Sequence, residues 1–206
     1  MKIVHVFGLT LGALLAPCLH AQVVEFVPPG AVVLTTHNSN DSWAQGRGVL
    51  FSPTANLTID AIGVFQQLRP GTLGLALSRV HVDNGLIYQD ETLWQGSVAS
   101  ADASALSWLD LTLPETSLLA GSLYHVQFSY FGRPYTNFFY DNQNQPFSQG
   151  HFTRIDGTEG KGTANYVMPA VRLNVANVSP VPEPATYALI GLGLLGVMRA
   201  RRTSKA

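Results

Sequence analysis

Through the middle of the chain, apolar and polar residues alternate with a period of two. Leu57, Ile59 and Ala61 are separated by Thr58 and Asp60, and the run continues through Ile62, Val64 and Phe65. Leu73, Leu75 and Leu77 alternate with Gly74, Ala76 and Ser78. Leu109, Leu111 and Leu113 alternate with Asp110 and Thr112. Tyr124, Val126, Phe128 and Tyr130 alternate with His125, Gln127 and Ser129, and Val167, Pro169, Val171, Leu173 and Val175 with Met168, Ala170, Arg172 and Asn174. Such alternation predicts strands with one face buried. Shorter candidates are 32–36, 48–51, 86–89, 93–98 and 137–140.

Turn chemistry separates these runs. Arg69-Pro70-Gly71, Asp83-Asn84-Gly85, Ala120-Gly121 and Asp156-Gly157 carry residues that favour reversal. Asp83-Asn84-Gly85, between two strand-like runs, is the clearest hairpin signal. Roughly nine or ten short strands without long helical runs predict an all-β fold, an antiparallel β-sandwich of jelly-roll type. Pro169 lies within the last alternating run, so that strand is expected at an edge or with a bulge.

The two ends read differently. Lys2 precedes the apolar stretch Ile3 to Ala16, and Leu19-His20-Ala21 offers a small residue for cleavage. This order predicts a secretory signal over 1–21, with Ala21 and Gln22 flanking the cut. The single cysteine, Cys18, falls inside it, so the mature domain would hold no disulfide. Leu15-Ala16 before Cys18 suggest a lipidation signal, but Pro17 stands where that signal needs a small residue. The domain is expected over 22–176 and a linker over 177–184. Residues 185–206 are expected to form a short transmembrane helix and an Arg-rich tail. The helix, Ala185 to Met198, is uncharged. As an α-helix it would rise about 21 Å, short of the roughly 30 Å apolar core of a bilayer. Arg199, Arg201 and Arg202 would hold the last residues on the cytoplasmic side, which places the domain outside.

Pro182-Glu183-Pro184, the short apolar helix and the arginines together resemble the PEP-CTERM sorting domain. That resemblance implies recognition by an exosortase in the inner membrane of a Gram-negative bacterium. It further implies removal of the tail and delivery to the cell surface or the extracellular polysaccharide matrix. The middle of the chain, through Gly46 to Pro53, Ile59 to Phe65 and Leu119 to Tyr124, is similar to exported β-sandwich domains that precede such tails.

Composition narrows the partners. Only 12% of residues are charged and 46% are hydrophobic, which favours a folded domain over a disordered one. Between Gln22 and Pro182, seven basic residues face twelve acidic ones, a net charge of −5. No basic patch is visible, so nucleic acid is not an expected partner.

Candidate chemistry is sparse. His37, His81, His125 and His151 lack zinc-ligand spacing. His81 and His125 fall at polar positions of strands and are expected to be exposed. No Gly-x-Ser-x-Gly or phosphate-binding loop occurs. Asp41, Asp60, Asp110 and Asp141 could serve a hydrolase only as a carboxylate pair, and an enzyme is not expected. Two loops mix oxygen-bearing side chains with aromatics, Asn38 to Trp43 and Asn137 to Gln145. Trp43, Asp41, Asp141 and Asn142 are the candidate ligand-binding residues there, against a reading as ordinary Asx-rich turns. Their chemistry suits a saccharide, with calcium as an optional aid. Trp94 and Trp108 are expected to pack. The leading expectation is a non-catalytic structural or adhesive domain. The alternative is a carbohydrate-binding module for exopolysaccharide, and a secreted hydrolase ranks third.

Overall fold

The computed structural model describes residues 22–26, 46–67, 70–101, 107–132, 137–138, 146–164 and 169–179. Twelve strands and no helix occur among them. In chain order they are β1 (Gln22–Glu25), β2 (Arg47–Pro53), β3 (Asn56–Gln67), β4 (Gly71–Asp83), β5 (Leu86–Ser100), β6 (Ser107–Leu118), β7 (Tyr124–Gly132), β8 (Asn137–Phe138), β9 (Phe147–Gln149), β10 (Phe152–Glu159), β11 (Gly162–Thr163) and β12 (Val171–Ser179). Five strands form one antiparallel sheet in the order β1-β12-β3-β6, with β8 also on β3. Seven form the other, in the order β11-β5-β4-β7-β2-β10-β9.

The alternating runs explain this arrangement. Leu57, Ile59, Ile62 and Val64 of β3 share one core with Leu173 and Val175 of β12, Leu73, Leu75 and Leu77 of β4, and Val126 and Phe128 of β7. Both sheets therefore turn their apolar sets towards each other. Phe26, Phe51 and Phe152 meet at its centre, with centroids 5.4 to 5.8 Å apart, and Tyr124 stacks on Phe51 at 5.7 Å. Trp94 and Leu109 pack on the margin of the core. Trp108 lies against Phe65 at 5.3 Å and beneath the Arg172 guanidinium at 4.7 Å. Both tryptophans pack, as expected from their strands.

Three local expectations are corrected. Asp156-Gly157 is not a turn but the interior of β10, where a register shift between Arg154 and Asp156 adds a residue. The Asp156 carboxylate accepts from the Gly157 amide at 2.8 Å, and the reversal falls instead at Gly160-Lys161. Pro169 precedes β12 rather than lying inside it, and β12 is internal, between β1 and β3. Its pairing with β3 does carry register shifts. Residues 86–89 and 93–98 belong to one strand, β5, broken only by register shifts against β4. β12 continues to Ser179, which pairs with Asn56. The signal segment, residues 32–36 and the tail lie outside the described residues.

Candidate functional site

The outer face of the seven-stranded sheet is built from the polar halves of the alternating strands. The register lays them out in three rows. Ser97, Gly74 and Ser129 form the first. Gln95, Ala76, Gln127, Gly48 and Thr158 form the second. Thr92, Ser78, His125, Leu50 and Asp156 form the third. The floor is small where β4 crosses it, at Gly74, Ala76 and Ser78, so the face is hollowed along that strand.

The sheet also curls until its ends meet. β11 pairs with both β10 and β5, closing the path of backbone pairing. The Ile87 amide donates to the Lys161 carbonyl at 2.8 Å, and the Thr163 amide to the Gly85 carbonyl at 2.9 Å. Asn84 (φ 49°) and Gly85 (φ 76°) make the turn of the β4–β5 hairpin, the left-handed pair that a type I′ turn requires. The inner end of the curl is sealed by Leu50, Val80 and Ile87, with Leu123 against them. A cleft of about 320 Å³ remains beneath the hairpin. It is lined by Ala76, Ser78, Val80, Leu86, Ile87, Tyr88, Gln89, His125, Gln127, Gly160 and Lys161. It continues past Ala76 and Gln127 into a second lobe of about 390 Å³ over Gly74, Gln95, Gly96, Ser97 and Ser129.

His125 lies on the floor of the first lobe. It is only 7% exposed, contrary to the exposure expected from its strand position, because the curl covers the polar face there. Its Nε2 is 2.7 Å from the Thr158 hydroxyl. Nδ1 has no partner among the described residues. Burial pushes its pKa down to about 4, so the imidazole is neutral at neutral pH. Gly48 makes this contact possible: a Cβ there would stand 2.1 Å from the Val126 carbonyl oxygen, 2.7 Å from His125 Nε2 and 2.8 Å from Thr158 Oγ1. Gln127 donates through Nε2 to the Gly160 carbonyl at 3.1 Å, holding the β10–β11 turn over the sheet. Asp156, at the end of the same row, has its carboxyl pKa raised by partial burial, an effect its bond from the Gly157 amide opposes.

Charged pairs occur on both sheets: on the seven-stranded sheet Arg47 meets Glu159 at 2.8 Å and Arg79 meets Glu91 at 3.1 Å. Arg172 on the five-stranded sheet pairs with Asp110, at 2.8 Å through Nε, and lies 3.9 Å from Glu25. Asp60 accepts from Asn174 at 2.5 Å. Both carboxylates considered for hydrolysis among the described residues are therefore engaged, on the sheet opposite the cleft. His81, exposed on the β4–β5 hairpin, bonds Asp90 at 2.7 Å and stacks on Tyr88 at 5.2 Å.

Of the residues singled out from sequence, Gln22 opens β1. Ala21, Asp41, Trp43, Asp141, Asn142, Pro182, Glu183, Pro184, Arg199, Arg201 and Arg202 lie outside the described residues. No group of three or more His, Cys, Asp and Glu side chains that could hold a metal occurs among the described residues, and no helix long and apolar enough to cross a membrane occurs there. The cleft itself went unrecognised. Its signal was present in the uncharged, small or amide-bearing polar positions of β4, β5 and β7, where a solvated face would carry Lys and Glu.

Residues 180–202 match the PEP-CTERM protein-sorting motif. No curated protein and no solved structure matches the chain. The chain thus carries a PEP-CTERM sorting motif, which supports C-terminal sorting of an exported protein and implies recognition by exosortase.

Proposed function

We propose that this is a non-catalytic adhesive domain, delivered to the cell surface or extracellular matrix, that binds exopolysaccharide in the two-lobed cleft of its seven-stranded sheet. The observation carrying this reading is the lining. It combines amides (Gln89, Gln95, Gln127), hydroxyls (Ser78, Ser97, Ser129) and a neutral imidazole over a floor of Gly74 and Ala76. Apart from Lys161, the polar groups of this lining are uncharged, and such donors and acceptors match the hydroxyl-rich, uncharged surface of a sugar. Each lobe falls near the lower end of small-molecule sites, roughly 300–1,000 Å³. The first lobe's lining contains no carboxylate, which speaks for binding over glycoside hydrolysis.

The fold reading that goes with this is a jelly-roll sandwich. Taken in chain order, β1 to β7 and then β12 supply eight strands. The first, last, third and sixth of them are neighbours in one sheet, and the second, seventh, fourth and fifth in the other. That is the order two nested Greek keys produce. The β8–β11 strands are then an insertion before the last strand, and β11 ties down the β4–β5 hairpin that roofs the cleft.

Calorimetry of the mature domain with fragments of extracellular polysaccharide tests the binding. Changing Gln95→Ala, at an exposed site, should weaken binding about two- to tenfold, the worth of a net hydrogen bond. Unchanged affinity in Gln95→Ala, together with loss in Trp43→Ala or Asp141→Ala, would move the site to the polar loops. Absence of binding to any glycan, with or without calcium, would remove the saccharide reading.

A further inference from the structure

The first lobe is blind. The apolar seal of Leu50, Val80, Ile87 and Leu123 closes one end. The β4–β5 hairpin, tied to β11, forms a roof. The continuation runs past Ala76 and Gln127 into the second lobe. A chain could lie in the second lobe and enter the first, but it could not pass through.

At the floor of the blind lobe is a polar atom with unmet capacity. His125 is more than nine-tenths buried, one ring nitrogen is occupied by Thr158, and the other has no partner among the described residues. Nδ1 is not shut away from solvent but faces the lobe that His125 lines, so a ligand can take the hydrogen bond that water otherwise makes there. The Thr158 hydroxyl can donate to Nε2 or accept from it, which leaves Nδ1 either a donor or an acceptor. A hydroxyl satisfies both tautomers, whereas a carboxylate satisfies only one.

We propose that the blind lobe captures one end of a saccharide chain, with a hydroxyl of the terminal unit on His125 Nδ1, and that the second lobe holds the adjoining unit. This rests on the saccharide reading and adds end recognition to it. Such a domain attaches to chain termini and reads polymer ends, in contrast to an adhesin that grips polymers along their length.

The test uses the mature protein and size series of neutral hexose oligosaccharides from β-glucan, mannan and galactan. Each is offered free, capped by a bulky group at the reducing end, and capped at the non-reducing end. Affinity should rise from one unit to two and then level off, and one of the two caps should abolish binding. His125→Gln, which keeps a polar atom on the floor, should weaken every binding oligomer. Ser97→Tyr, an exposed change that fills the second lobe, should remove the gain from the second unit and leave single-unit binding intact. Affinity that climbs with length and survives both caps would overturn end capture while keeping the saccharide reading. Binding unaltered in both variants would also overturn it. No binding across all three series would overturn both.

Discussion

His125 shows how far a single position can depart from the pattern that surrounds it. It occupies the polar phase of β7, yet the curl of the sheet buries it, and desolvation holds its pKa at about 4 in the folded chain. In the unfolded chain it titrates near 6.5. Below that value the unfolded state takes up a proton that the folded state refuses, so stability falls as pH drops from about 6.5 towards 4. The full loss is of order 3 kcal/mol. The raised carboxyl pKa of Asp156 acts in the opposite sense. Denaturant unfolding across this window should show the decline in the native domain and a flatter profile in His125→Gln. An equally steep decline in the variant would assign the effect to other groups. The burial was not legible in sequence, because alternation specifies which face a residue takes and not whether that face is later covered.

At the scale of elements, strands with long regular alternation were legible and strands with interruptions were not. β3, β4 and β7 follow their period-two pattern, and the β4–β5 turn follows from Asn84-Gly85. β10 was hidden because Arg154, fully buried and donating to the Phe26 carbonyl at 2.9 Å, sits at a core-facing position, and because Asp156-Gly157 imitates a turn. The small pair β10–β11 has more influence than its length suggests, since β11 ties the hairpin down as a roof. Gly85→Ala would force a left-handed conformation on a residue with a Cβ, at about 1–2 kcal/mol. Amide hydrogen exchange at Ile87 and Thr163, which donate across this junction, should accelerate roughly 5- to 30-fold, while the core amides of β4 and β7 change little. Uniform acceleration throughout the domain would show that the roof and the core unfold together.

For the whole molecule, topology and recognition are separable. β1 begins at Gln22 and pairs with β12, and Gln22 lies opposite Val175, shortly before β12 ends at Ser179. The beginning of the folded domain and its exit towards the sorting motif are therefore neighbours on the five-stranded sheet, while the cleft opens on the far face of the other. Mass spectrometry of the extracellular protein should show a chain beginning at Gln22 and lacking Arg199 to Arg202. An extracellular chain that still ends in Lys205-Ala206 would contradict tail removal. The sorting motif was fully legible from sequence, since Pro182-Glu183-Pro184 and the arginines are a linear signal. The cleft was not, because Gln95, Gln127 and His125 come together only through the pairing of β5, β4 and β7.

The most direct test of the saccharide cleft is a two-dimensional NMR titration of the mature domain with a binding oligosaccharide. Binding in the cleft should concentrate the shifts in the side-chain amides of Gln89, Gln95 and Gln127, the backbone amides of Gly74 and Ala76, and the His125 ring. Shifts centred on residues 38–43 and 141–145, with the cleft signals unmoved, would contradict it.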